Sequence, residues 1–365
     1  MARHWLIHTG LTLAAVLCAA CTSLSVPRVP GNPLLATLPF QAAGIEDGRE
    51  AFAARFSREL EADGYPANPS NWLHHVDETA GKALPVEAMS GGLSVLIVPG
   101  IFSDCVDEQS LPFSDGIERE RPANYTEGYA HYRASLGSVR AIQLSGRASS
   151  ASNAVLIADE VQAEARRAGV EAIVLVAYSK GLPDALLALD VLRGEGRLPA
   201  ELKALVSISG VLLGTPIADR YQRLHDSLAP LFAPLGCSPS AGGEVASLTV
   251  RERLPWLVAR RLPERIALYS VVAHAERDAV SPGLRHFHDL LATLDPMNDG
   301  QVIAGWSLLP GSTLLAEVKS DHWTYVLPLS GHPSLLVRTI ASPADFPRAA
   351  FFRAVVKSVA QDLQR

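Results

Sequence analysis

Residues 171–189 read EAIVLVAYSKGLPDALLAL, and their pattern sets the fold class. After Glu171, the residues up to Val176 are apolar and rich in β-branched side chains, so that 171–176 is typical of a strand buried on both faces of a parallel sheet. From Leu182 onward the apolar spacing is helical, and Pro183 lies in the first turn, where a missing N–H costs nothing. The small residues Ala177 and Gly181 bracket Ser179 and permit a tight turn. The stretch therefore predicts a strand, a sharp turn that presents Ser179, and a helix.

Buried strands and helices alternate on both sides of this stretch. Strands are predicted at 94–98, 139–144, 171–176, 204–208, 266–272 and 314–318, with helices such as 51–60 and 155–167 around them. This order is typical of an α/β fold with a doubly wound, mostly parallel sheet. The connection at about 218–264 is unusually long, and we predict that it forms a helical cap or lid over a pocket.

The combination of strand, small-x-Ser-x-Gly and helix resembles the nucleophile elbow of the α/β-hydrolases. Further motifs resemble those of the bacterial serine lipases and esterases in that superfamily. Residues 299–302, DGQV, are similar to the Asp-Gly-x-Val loop that carries their catalytic aspartate, and Asp321-His322 is similar to their histidine loop some twenty residues on. Residues 214–219, GTPIAD, resemble the segment that leads into their lid. The resemblance runs from about Ser94 to His322.

Ser179 is the candidate nucleophile, and it needs a base and a carboxylate to orient that base. In this fold both partners follow the serine along the chain. Of the later histidines, His322 directly follows the last predicted strand, so a loop can bring it over Ser179. The residues alone leave two carboxylates open, namely Asp278 after the strand at 266–272 and Asp299 in a tight Asp-Gly turn. The resemblance favours Asp299 and leaves Asp278 as the alternative.

Two backbone N–H groups are expected to stabilise the oxyanion of the tetrahedral intermediate. One is that of Lys180, directly after the nucleophile, and only the amide of Lys180 is assigned a role. The resemblance implies that the second is the N–H of Ile101, in the loop after the first buried strand. Pro99 stands where the lipases have a histidine, which alters how that loop is braced but not the donor.

The N-terminus resembles the signal peptide of a bacterial lipoprotein. An apolar run at 10–20 is too short to span a bilayer but suits a signal-peptide core. Residues 17–21, LCAAC, resemble a lipobox, which implies lipidation of Cys21; simple cleavage and a short uncleaved anchor are alternatives. Because the residue after Cys21 is Thr22 and not Asp, the resemblance also implies that the lipidated protein is located at the outer membrane. We predict a signal peptide at 1–20, a proline-rich tether at 21–45 and a hydrolase domain at 46–365.

Composition limits the partners and cofactors. The chain has 365 residues and a formal net charge of −6, which gives no reason to expect a nucleic-acid partner. Cys105 and Cys237 form a disulfide or remain buried thiols, and the sequence leaves both open. There is no phosphate-binding loop and no His-Glu-x-x-His motif, and no metal or cofactor is predicted.

Together these features predict a lipid-anchored serine hydrolase of the cell envelope that cleaves carboxylic esters, with lipid or other apolar acyl esters as substrates. Two alternatives remain. One is an acyltransferase that uses the same three residues, and the other is a non-catalytic envelope lipoprotein that uses the same fold for binding.

Overall fold

A seven-stranded parallel sheet forms the centre of the molecule. The structure, a computed structural model, describes residues 44–76, 91–101, 112–113, 127–228, 242–260, 262–332 and 334–364. The strands are β1 Glu46–Asp47, β2 Leu93–Val98, β3 Ser138–Ala141, β4 Ala172–Tyr178, β5 Leu202–Ile208, β6 Ala267–His274 and β7 Thr313–Lys319. Their order is β1-β7-β6-β5-β4-β2-β3, and every neighbouring pair is parallel. The predicted doubly wound α/β sheet is confirmed.

Helices cover the sheet. They are α1 Arg49–Ala62, α2 Arg133–Leu136, α3 Ser150–Ala165, α4 Gly181–Gly194, α5 Pro216–Leu228, α6 Val250–Val258, α7 Arg285–Ala292, α8 Leu335–Ile340 and α9 Arg348–Asp362. On one face α1 packs against α9, where the rings of Phe52 and Phe56 meet the ring of Phe351 at 5.5 and 5.6 Å. The same core takes in alternate residues of the central strands, such as Val174 and Val176, because successive strand residues point to opposite faces. Helices α3 and α4 pack against each other.

The first strand begins where the predicted tether ends. Ile45 is buried against Val272 and Leu314, and the backbone N–H of Glu46 donates to the carbonyl of Ser312 at 3.0 Å. The folded body therefore includes Ile45, which the sequence boundary assigned to the tether. The other residues of the tether up to 43, the signal peptide at 1–20, and Cys21, Cys105 and Cys237 lie outside the described residues.

A short stretch after α1 is paired with the end of β7. The backbone N–H of His74 donates to the carbonyl of Glu317 at 2.8 Å, and that of Lys319 donates to the carbonyl of Trp72 at 2.7 Å. Leu73, which is buried, forms an antiparallel bridge with Val318. This pairing fixes the end of β7 directly before the loop that carries Asp321 and His322.

The predicted cap region contains α5 and α6, with 229–241 and residue 261 outside the described residues. Its two halves are joined by a hydrogen bond from the N–H of Val250 to the carboxylate of Asp219 at 2.8 Å. The second half is tied to the body, because the N–H of Ser150 on α3 donates to the hydroxyl of Ser247 at 2.9 Å. Gly214 has φ +89°, and a Cβ there would lie 2.6 Å from the backbone of Val250. Whether this region covers a pocket stays a prediction.

Among the helices of the described residues, none is both long and apolar enough to cross a membrane. Within the same ranges, no three His, Cys, Asp or Glu side chains are grouped so that they could hold a metal ion.

Candidate active site

Ser179 occupies the sharp turn between β4 and α4. Its φ of +55° lies in the left-handed region, which costs a non-glycine residue on the order of 1–3 kcal/mol. Two backbone hydrogen bonds hold this conformation, from the N–H of Ser179 to the carbonyl of Ile208 at 3.0 Å and from the N–H of Val211 to the carbonyl of Ser179 at 3.2 Å. The turn also needs small neighbours, because a Cβ at Gly181 would lie 2.3 Å from the carbonyl oxygen of Val98.

The loops after β6 and β7 bring Asp299 and His322 to this serine. Nε2 of His322 lies 2.8 Å from Oγ of Ser179, and Nδ1 lies 2.7 Å from Oδ2 of Asp299. All three side chains are buried. Since a carboxylate only accepts hydrogen bonds, Nδ1 carries the proton that is donated to Asp299, and Nε2 is left to accept the hydroxyl proton of Ser179.

Asp299 is fixed by its own tight turn. Its Oδ1 accepts hydrogen bonds from the N–H groups of Gln301 at 2.9 Å and Val302 at 2.8 Å, which leaves Oδ2 for the imidazole. Gly300 has φ +86°, a conformation that favours glycine, so the Asp-Gly pair forms the turn that its sequence suggested.

The alternative acid, Asp278, lies elsewhere. It is exposed on a short 3-10 turn, Arg277–Ala279, while the Nδ1 of His322 contacts Asp299. Other candidate histidines have other contacts. His286 is bonded to the hydroxyl of Tyr221, and His288 contacts the carbonyl of Ala275.

The two expected oxyanion donors flank the serine. Gly100 lies against Ser179, since a Cβ built on it would be 3.2 Å from Cβ of Ser179, and Ile101 follows directly. The backbone N–H groups of Ile101 and Lys180 donate no hydrogen bond to any residue that the structure describes. Lys180 also caps the N-terminus of α4, where the helix dipole favours negative charge. Within the described part of the chain neither amide is engaged, as the predicted oxyanion role requires.

Two further residues orient His322, and sequence reasoning missed both. The hydroxyl of Tyr178 donates to the carbonyl of His322 at 2.8 Å, and the two rings lie 5.1 Å apart. Burial raises the pKa of Tyr178 well above its usual range, so its hydroxyl keeps its proton and remains a donor. The carboxylate of Asp321 accepts hydrogen bonds from the N–H groups of Ser281, Trp323 and Thr324, which shapes the turn around His322.

Several solved structures are similar to this chain. The crystal structure of the metagenomic carboxyl esterase MGS0156 is similar to this chain with a TM-score of 0.74 and 30% sequence identity, over 95% of this chain and 99% of that one. The mature lipase BlEst2 of Bacillus licheniformis gives a TM-score of 0.47 at 19% identity, over 66% and 89% of the two chains. Lipase 1 of Pelosinus fermentans gives 0.48 at 11% identity, over 74% and 99%.

No family model and no curated protein sequence matches the chain. The likeness to MGS0156 nevertheless extends over almost the whole of both chains at 30% identity. Together with the parallel sheet and the serine at its sharp turn, this likeness shows that the chain belongs to the same α/β-hydrolase family as that carboxyl esterase.

Proposed function

We propose that this protein is a serine hydrolase that cleaves carboxylic esters, with Ser179 as nucleophile, His322 as base and Asp299 as the orienting acid. The observation that carries the proposal is the 2.8 Å contact between Oγ of Ser179 and Nε2 of His322, continued by the 2.7 Å contact from Nδ1 to Asp299. The family relationship with a carboxyl esterase supports the ester as the substrate class.

In the first half of the reaction, Oγ of Ser179 attacks the ester carbonyl carbon while Nε2 of His322 takes the hydroxyl proton. The carbonyl oxygen becomes an oxyanion, which the N–H groups of Lys180 and Ile101 stabilise. The imidazolium that forms is stabilised by Asp299 through Nδ1–H. The intermediate collapses by breaking the bond to the alcohol oxygen, which leaves with the proton from Nε2, and an acyl-Ser179 ester remains.

In the second half, water takes the place of the alcohol. Nε2 of His322 removes a proton from the water, which attacks the acyl carbon and forms a second oxyanion at the same two amides. When this intermediate collapses, Oγ of Ser179 leaves and regains the proton from Nε2. The acid is released and the enzyme returns to its starting state, so the cycle consumes one ester and one water.

We expect the acyl group to be apolar. Ile101 packs against Val211, Val245, Leu248 and Val302, so the oxyanion loop adjoins an apolar cluster that the cap region helps to build. We propose that this cluster borders the acyl group, where apolar contacts favour a hydrocarbon substituent over a charged one.

Active-site labelling tests the proposal. A fluorophosphonate should modify the wild-type protein on the peptide that contains Ser179, and the Ser179→Ala variant should remain unlabelled while it unfolds at a similar temperature. Hydrolysis of p-nitrophenyl esters should disappear with the label. Labelling at another residue, or a folded protein that is neither labelled nor active, would refute the assignment, and acyl transfer to added alcohols in preference to water would identify an acyltransferase.

We further propose that the protein is held at the outer membrane of a bacterial envelope through a lipid on Cys21. The support is the lipobox-like sequence at 17–21 and the proline-rich residues that follow it. The mature protein should incorporate a labelled fatty acid and sediment with membranes, and Cys21→Ser should abolish both. A wild-type protein released in soluble form without label would contradict this anchoring.

A further inference from the structure

A buried group of charged and polar side chains lies directly behind the nucleophile turn. Nζ of Lys180 contacts both carboxylate oxygens of Asp184, at 3.0 and 2.7 Å. Nδ2 of Asn153, on α3, donates to Oδ2 of Asp184 at 2.7 Å and to the carbonyl of Ser145 at 3.1 Å. Lys180, Asp184 and Asn153 are each only 1% exposed. We call these three residues the Lys180 cluster.

The almost complete burial of Lys180 is unusual for a lysine side chain. Burying an ammonium and a carboxylate carries a large desolvation penalty, and an apolar pair of similar volume is often as stable or more so. Stability alone therefore gives little reason to place this pair here. The ammonium group of Lys180 contacts both carboxylate oxygens of Asp184 and has almost no exposed surface, so a substrate cannot reach it. A role in the site must be exerted through another group.

That group is the backbone amide of Lys180 itself. The first N–H groups of a helix have no partner within the helix, so the first turn is the part most easily displaced. The main-chain hydrogen bond across this turn, from the N–H of Asp184 to the carbonyl of Lys180, is long at 3.3 Å. The contact between the side chains of Lys180 and Asp184 is a second link across this same turn. The hydrogen bond from Asn153 to Asp184 connects the turn to α3.

We propose that the Lys180 cluster is a positioning device that fixes the direction of the Lys180 N–H toward the oxyanion. The inference rests on the proposed function, because it requires that this amide stabilises the intermediate. Lys180 thus contributes a donor from its main chain and holds that donor in place with its side chain.

The effect on catalysis follows from geometry. An oxyanion donor acts only when it is aimed at the position of the developing charge, and a misplacement of about 1 Å lowers the rate by about 100-fold. A loosened first turn of α4 should therefore weaken binding of the transition state while substrate binding is nearly unchanged. A cluster that served stability alone would alter the unfolding temperature and leave the rate of the folded protein unchanged.

The test uses the double variant Lys180→Met/Asp184→Asn, which removes both charges together so that neither is left buried without its partner. The wild-type protein is first labelled at Ser179 by a fluorophosphonate and assayed on esters; failure there refutes the proposed function independently of the cluster. For the folded double variant we expect kcat to fall by about 10- to 100-fold with little change in KM. Binding of a boronic acid, whose adduct on Ser179 places an oxygen in the oxyanion site, should weaken by the same factor.

Two controls complete the design. Asp190→Asn removes an ion-pair partner of Arg193 and Arg260 further along α4 and should leave kcat and boronic-acid affinity unchanged. If the double variant does not fold, Asn153→Ala replaces it, since it keeps the ion pair and removes the link from Asp184 to α3 together with the bond to the carbonyl of Ser145. The value of kcat should then fall by about 3- to 10-fold. The proposal is overturned by a folded variant with wild-type kcat, or by one whose kcat falls while its affinity for the boronic acid does not.

Discussion

The two candidate acids, Asp299 and Asp278, lie in very different environments. Asp299 is buried with one oxygen on two backbone amides and the other on His322, whereas Asp278 is exposed on a turn. An orienting carboxylate must be close to the imidazole and must not be diverted by water. The environment of Asp299 meets both requirements.

Replacing each carboxylate by an amide should therefore show which of the two residues is needed for catalysis. In Asp299→Asn the backbone contacts of Oδ1 can be kept, but the amide no longer holds the imidazole in the tautomer that accepts the serine proton, and kcat should fall by about 10³- to 10⁴-fold. Steady-state kinetics on a p-nitrophenyl ester, with thermal unfolding as a check of folding, measures this. The matched Asp278→Asn variant should keep wild-type kcat, and the opposite pattern would show that the acid has been assigned wrongly.

The residues that the structure brings together at the candidate site could be recognised in the sequence to different degrees. Ser179, Asp299 and His322 stand in short local motifs, because each needs a particular turn whose residues are neighbours in the chain. Tyr178 and the side chain of Lys180 could not be assigned in this way. The bond from Tyr178 to the carbonyl of His322 joins residues 144 positions apart, and it depends on how β4 and the loop after β7 pack. The Lys180–Asp184 spacing fits a contact across one helical turn, but the sequence does not show that the pair is buried.

Secondary-structure elements were predicted well where their burial leaves a simple pattern. The six predicted strands are present because each is rich in apolar residues, although β3 ends at Ala141, short of the predicted 144. Two of the elements that were not predicted illustrate the limits of the pattern. β1 has only two residues, and α9 is buried over most of its surface, so that its polar residues form only a narrow stripe.

The stretch around Leu73 is the element whose importance is least evident in the sequence. It pairs with the last residues of β7, just before the loop that carries His322. Leu73→Ala removes a fully buried side chain and should lower the free energy of unfolding by about 2–5 kcal/mol. Hydrogen exchange of the amides in 317–324 should accelerate, and that of β2 should change much less. Uniform acceleration across the sheet would instead indicate a general loss of stability.

Across the whole molecule, a histidine cluster links the N-terminal part of the chain to the sheet. The ring of His74 stacks on that of His274 at 3.8 Å, and Glu317, which is buried, lies between Arg49 at 2.6 Å and the Nε2 atoms of His75 at 3.5 Å and His274 at 3.7 Å. Burial lowers the pKa of His74, and the hydrogen bond to the backbone carbonyl of His274, which acts in the opposite direction, offsets this lowering only in part. Burial by itself would raise the pKa of Glu317, but His274, Arg49 and His75 outweigh it and lower that pKa.

These shifts predict that the fold becomes less stable in acid. A histidine with a lowered pKa in the folded state binds its proton more readily in the unfolded chain, so its contribution is present above its ordinary value of 6.5 and is lost as the pH falls below it. The lowered pKa of Glu317 also stabilises the folded state, and this contribution is lost as the pH falls below the ordinary pKa of 4.5 for a glutamate. Unfolding temperatures measured from pH 8 to pH 5 should decline for the wild type and decline less for His74→Phe. Parallel curves for the two proteins would contradict this assignment.

The antiparallel pairing of Trp72–His74 with β7 has a practical consequence for protein engineers. The motifs recognisable as hydrolase begin only near residue 94, which invites a shortened version starting there. Such a version would lack the segment that pairs with β7 directly before the loop that carries His322, and it would lack the contribution of α1 to the hydrophobic core. The domain of minimal useful size therefore begins at about Ile45, and fusion partners or purification tags belong upstream of that point.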